Sequence, residues 1–106
     1  MTYKQYKLEN FNYEVITTFW EDFGIANKFG TDSIKDTFKR AFDEWKDNYK
    51  YLTELVIVLN DYCWLFYEKG NMDLSKLYAD LYHEAGLYAD EHLTGEAAQY
   101  YFEMTD

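Results

Sequence analysis

The sequence predicts an all-α fold, a compact bundle of four main helices and a short C-terminal one, and three observations point to it. Proline is absent and the five glycines fall mostly where helices would end, which is the punctuation of a helical chain. Apolar residues recur at intervals of three and four through most of the chain, the spacing of one helix face. Twelve Tyr, eight Phe and three Trp, 22% of 106 residues, supply large rings with which a short chain can fill the one core that its length supports.

Residues 1–10, with Tyr3, Tyr6 and Leu8, are expected to form an extended arm or an irregular start. A first helix over 11–28 follows from Tyr13, Val15, Ile16, Phe19, Trp20 and Phe23, with Asn10 or Asn12 as cap, Gly24 as a kink and Gly30 as the stop. A second helix over 33–50 opens at Asp32 or Ser33. Its Ile34, Phe38, Ala41, Phe42, Trp45 and Tyr49 fall in one narrow arc at about 100° per residue. Lys35, Lys39, Lys46 and Lys50 run beside that arc, and pairs such as Asp36 with Arg40 and Asp43 with Lys46 are in reach of each other.

The stretch 52–69 is apolar nearly all round and is expected to be the central helix, with Glu54, Asp61 and Glu68 on its one polar line. Gly70 and Asn71 close it and Asp73 opens the next helix, over 74–93. There Leu74, Leu77, Tyr78, Leu81, Tyr82, Ala85, Tyr88 and Ala89 take one side. Asp73, Asp80, Glu84 and Glu91 take the other, within an arc of about 40° and about 10.5, 6 and 10.5 Å apart along the axis. Gly95 is expected to end that helix, and 96–104 to form a last short one.

Charge is distributed unevenly. After Lys76 there is no lysine or arginine, while Asp80, Glu84, Asp90, Glu91, Glu96, Glu103 and Asp106 contribute seven of the ten net negative charges. Such a field repels nucleic acid and anionic membrane and attracts basic protein surfaces. A helix puts charge on its wet face whatever its role, but an ordinary wet face mixes both signs. The candidate partner-binding residues are therefore Asp73, Asp80, Glu84, Asp90, Glu91 and Glu96, with Glu54, Asp61 and Glu68 as a sparser second line. Trp64, flanked by that second line together with Ile57, becomes an aromatic anchor inside an acidic rim unless another helix or the arm covers it.

Other chemistries find little support. Asp80 and His83 have the spacing of a di-iron Glu-x-x-His pair, but such sites need two pairs facing a bundle core, and His92 is expected to point the other way, toward the core. No metal site, cofactor or catalytic residue is expected. Cys63, the one cysteine, lies on the apolar side of its helix without a basic neighbour, as an inert thiol does. A P-loop, a dinucleotide fingerprint and a nucleophile elbow are all missing, so an enzyme is not expected. A lone cysteine fits a reducing cytoplasm, and the longest apolar stretch, Leu55 to Tyr67, is broken by Asn60 and Asp61 and too short for a bilayer.

Tyr67-Glu-Lys-Gly-Asn-Met-Asp-Leu-Ser-Lys-Leu-Tyr78 resembles the turn between the two helices of a tetratricopeptide unit. It has an aromatic, a glycine three residues on, an acidic capper and a small residue before the next aromatic. One hairpin of about 34 residues is covered, without a second copy, so the resemblance implies a helix hairpin and not a repeat array. Residues Leu55 to Asp106 are similar to small acidic proteins carried by phages and integrative elements of Gram-positive bacteria, which implies the cytoplasm of a bacterial host.

Charge and resemblance together lead to the expectation of a small acidic inhibitor of the anti-restriction or anti-CRISPR type. It would act as a nucleic-acid mimic on a basic, nucleic-acid-binding surface of a partner enzyme, binding neither nucleic acid nor membrane itself. The alternative is a helix-hairpin adaptor or assembly protein that binds a partner, or a second copy as a homodimer, through apolar and aromatic surface.

Overall fold

A computed structural model describes residues 12–105, and the arm expected at 1–10 lies outside them. Among the described residues five helices follow one another: α1 Tyr13–Phe29, α2 Thr31–Trp45, α3 Tyr49–Glu68, α4 Met72–His92 and α5 Gly95–Thr105. No strand occurs among the described residues, and the bundle of four main helices with a short fifth agrees with the sequence. It measures 40 × 25 × 25 Å along its principal axes.

Three of the helices begin at asparagine. The Asn12 side-chain oxygen accepts from the Glu14 N–H at 3.0 Å, that of Asn48 from the Lys50 N–H at 3.2 Å, and that of Asn71 from the Leu74 N–H at 3.1 Å. Each satisfies an amide that a helix start leaves without an intrahelical partner. Asn48 moves a boundary: α2 stops at Trp45 and not at 50, and Tyr49 and Lys50 form the first turn of α3. Tyr49 continues the apolar arc of α2 in rotation, which conceals the break in the sequence.

Two glycines also shift the expected boundaries. Gly30, at φ +107°, both ends α1 and precedes α2, which starts at Thr31 with no side-chain cap from Asp32 or Ser33. Only glycine adopts this backbone without strain. Gly95, at φ +58°, opens α5, whereas α4 ends with Leu93 in an extended conformation. Gly24 lies within the continuous α1, which Gly30 stops as expected.

The central position belongs to α3, which packs against each of the other four helices. Leu52, Leu55, Val56, Val58 and Leu59 are fully buried, between Phe19 and Phe23 of α1, Ile34 and Phe38 of α2, and Tyr78, Leu81, Ala85 and Ala89 of α4. Around Tyr78 the rings form a cluster: Tyr62 stacks at 5.1 Å, Phe66 at 5.8 Å, and Phe23 meets it edge-on at 5.8 Å. Two hydroxyls find partners on α1, Tyr62 donating to the Trp20 carbonyl at 2.8 Å and Tyr78 to the Asn27 side-chain oxygen. Buried tyrosine is tolerable on this condition.

α5 runs along α3 from Tyr100, whose ring meets Tyr49 edge-on at 5.4 Å, to Met104 and Thr105, which line a small cavity with Val56, Ile57 and Asn60. It therefore covers the first half of that side of α3 and leaves the second half open.

Candidate functional site

α4 holds the acidic edge in place. Its inner side is core through Tyr78, Leu81, Ala85 and Ala89, and Asp73, Asp80, Glu84, Asp90 and Glu91 are all exposed, as is Glu96 at the start of α5. The regular spacing read from rotation is that of a continuous 21-residue helix. These carboxylates lie on a rod anchored by its other face.

Tertiary packing changes what surrounds them. α2 and the turn after it, residues 31–47, run beside α4 in the same direction, with Lys35 near Asp73 and Asp80 at one end and Asp47 bonded to Tyr88 at the other. Lys35 and Lys76 share a shallow groove with Asp73, Asp80 and Glu84. Lys35 and Lys39 line a larger one with Glu84 and Glu91. The edge is therefore not a field of one sign across its whole width. Bases absent from the last thirty residues are returned by α2 on one flank, while Asp90 lies on the other flank and helps to raise the Tyr101 hydroxyl, whose main cause is burial, to about 12.

The second acidic line is corrected by the structure. Glu54 is 5% exposed, next to the buried Tyr100, whose hydroxyl is raised first by burial and then by the Glu54 charge. It is therefore not part of an exposed row, lying buried where Tyr100 of α5 meets α3. Asp61 and Glu68, beyond the end of α5, are exposed. Desolvation still raises the Asp61 carboxyl above its ordinary value, although the residue as a whole faces solvent.

Trp64 is 56% exposed and Tyr67 55%, and their rings meet edge-on at 5.6 Å. They form an aromatic pair between Asp61 and Glu68 on the open half of α3. Ile57 does not join it, since it is half-buried beside Tyr82 and Met104. His92 also differs from expectation. It is exposed, stacks on Tyr88 at 4.0 Å, and its Nδ1 lies 3.0 Å from the Tyr88 carbonyl. Cys63 is half-buried, with Sγ 3.6 Å from the Ser75 hydroxyl, which itself donates to the Cys63 carbonyl at 2.9 Å. Among the described residues no group of three or more His, Cys, Asp or Glu side chains is placed to hold a metal ion, and no helix is long and apolar enough to cross a membrane.

One feature was not singled out in the sequence. Between α2 and α4 lies an open groove of about 740 Å³, floored by Phe38, Phe42, Leu81 and Tyr88 with Leu87 at its edge. Its signal in the sequence is Leu87, an apolar residue on the acidic side of α4. No family model, curated protein or solved structure matches this chain.

Proposed function

We propose that this chain is a small acidic protein-binding inhibitor that occupies a basic, nucleic-acid-binding surface of a partner, in the manner of anti-restriction and anti-CRISPR nucleic-acid mimics. One observation carries the reading: Asp73, Asp80, Glu84 and Glu91 are all exposed along one side of the preformed α4, with Asp90 exposed on its other flank and Glu96 at the start of α5. A rigid row of carboxylates can meet a groove of Lys and Arg that holds spaced phosphates, and it loses little freedom on binding. Nearby Lys35 and Lys39 bias the contact. The attraction is strongest away from the lysines of α2, toward α5, at Asp90 and Glu96.

Asp80→Lys, Glu84→Lys and Glu91→Lys combined should abolish binding of a partner captured from host lysate, and wild-type binding should weaken steeply as salt rises. A triple variant that binds normally removes the reading.

A second reading has its own support in Trp64 and Tyr67, both more than half exposed. Large rings standing free between Asp61 and Glu68 suit an adaptor that engages its partner through aromatic surface. Affinity nearly independent of salt, and lost in Trp64→Ala but kept in the charge-reversal variant, selects this reading.

A further inference from the structure

The groove between α2 and α4 joins an apolar floor to two differently charged walls. Phe38 and Phe42 stack at 5.4 Å, and Phe42 meets Tyr88 edge-on at 5.0 Å. Tyr88 is held from two sides, donating to the Asp47 carboxylate at 3.3 Å and stacking on His92 at 4.0 Å. The floor is thus a continuous line of rings fixed before any partner arrives, which lowers the ordering cost of binding. Leu87, 46% exposed, stands at its margin.

The walls differ in charge balance. Lys35 and Lys39 stand on the α2 side, one helical turn apart, with Asp43 a further turn on, and Glu84 and Glu91 stand on the α4 side, two turns apart, so the α2 wall is mixed and the α4 wall acidic. From Leu81 to Glu91 the groove follows about 15 Å of helix, close to three turns. An extended peptide would offer backbone amides that this side-chain-lined groove has no strand edge to pair. A helix satisfies its own amides and presents apolar residues at i, i+3 or i+4, and i+7, a match for the ring line in length. A second copy of the chain fits less well, because each copy carries a net charge of −10 and the α4 carboxylates would be brought toward one another.

We infer that this groove docks an amphipathic helix of a partner protein, about three turns long, with its apolar face on Phe38, Phe42, Leu87 and Tyr88 and a basic flank over Glu84 and Glu91. The inference rests on the acidic-edge reading and adds the partner's structural element to it. In this arrangement the carboxylates of α4 steer and orient the partner, and the rings and Leu87 supply the desolvated contact. Lys35, Lys39 and Asp43 face the helix's other flank, which carries acidic or neutral residues where it meets the two lysines. A uniformly basic helix is disfavoured there.

The test uses the full chain and two synthetic 14-residue helical peptides. One carries leucines at i, i+3, i+4 and i+7, lysines on one flank and glutamates on the other. The other has the same charges with serine in place of each leucine. Docking predicts that the leucine peptide binds and shifts the amide and ring resonances of Phe42, Leu87 and Tyr88, and that the serine peptide does not bind. Leu87→Asp should weaken the leucine peptide by about tenfold or more and Leu87→Met should retain it, both variants keeping the wild-type circular dichroism. Glu84→Lys with Glu91→Lys should also weaken it, through loss of the basic-flank contact.

If both peptides bind equally, and only the charge reversal matters, the groove proposal fails while the acidic-edge reading stands. Absence of binding by the leucine peptide at millimolar concentration overturns the groove proposal, and partner capture by the acidic edge then remains a separate measurement. Concentration-dependent self-association of the chain, lost in Leu87→Asp, would assign the groove to a second copy and also overturn the proposal.

Discussion

Tyr78→Phe isolates a single buried hydroxyl. Tyr78 is fully buried at the contact of α4 with α3 and α1, and its hydroxyl donates to the side-chain oxygen of Asn27. Phenylalanine keeps the ring stacks with Tyr62 and Phe66 and removes only that bond. A neutral hydrogen bond contributes about 0.5–1.5 kcal/mol net, and a partner left unsatisfied in a buried place costs about 1–3 kcal/mol. Asn27 is half-buried, so water recovers part of that penalty and the expected loss is about 1.5 kcal/mol. For a domain of this size the midpoint of thermal unfolding should fall by about 6–12 °C. Tyr78→Leu removes the ring as well and should cost more than Tyr78→Phe, though less than the ~3–5 kcal/mol of a buried aromatic truncated to alanine.

Urea unfolding followed by circular dichroism, with an unchanged denaturant slope, gives each value. Asn27→Ala completes a double-mutant cycle with Tyr78→Phe, and the coupling should be about 1 kcal/mol. Additivity within about 0.3 kcal/mol would refute the bond as a stabilising contact between α1 and α4. So would a Tyr78→Phe cost equal to that of Tyr78→Leu, because the hydroxyl and the ring would not then be separable.

Alkaline stability should fall through a defined window. Burial pushes the Tyr101 hydroxyl up to about 12, and those of Tyr78 and Tyr100 higher still. An unfolded tyrosine ionises near about 10, so above that pH the unfolded chain has lost protons that the folded one keeps. The tyrosine contribution is therefore fully present below about pH 10 and is lost as pH rises toward the folded values. Tyrosinate absorbance should show these three residues ionising only with unfolding, and their early ionisation in a still-folded chain would contradict the burial assigned to them. Gly30→Ala should destabilise by about 1 kcal/mol or more, because φ +107° strains any side chain. Asn48→Ala should cost about 1 kcal/mol and Asp32→Ala little, since only Asn48 caps a helix; equal costs in chemical denaturation would contradict the boundary. Glu54→Lys should destabilise by more than about 2 kcal/mol, whereas Glu68→Lys should stay within about 0.5 kcal/mol, because one side chain is buried and the other exposed. A tolerated Glu54→Lys would refute its burial by α5.

The helices and their inward faces were legible in the sequence because rotation about a single helix depends only on residue order. Tyr78, Leu81, Ala85 and Ala89 were placed inside and Asp73, Asp80, Glu84 and Glu91 outside, as the structure has them. Helix ends were less legible. Asn48 is an ordinary capping residue, but Tyr49 continues the apolar arc of α2 and hides it, so the break became clear only where two helices actually meet.

The sequence by itself determined an all-helical chain, a central α3, and an α4 with one acidic side. Local periodicity is enough for these, since each depends on contacts within one helix or on burial of its apolar face. The tertiary structure decided which charges are wet and what stands next to them. It buried Glu54 beside Tyr100 of α5, and left Asp61, Trp64, Tyr67 and Glu68 exposed past the part of α3 that α5 reaches. It also set Lys35 and Lys39, more than forty residues away in sequence, across a groove from Glu84 and Glu91. No single-helix rotation contains that information. The potential at a carboxylate depends on every charge within about a Debye length, and those neighbours come from how the helices pack.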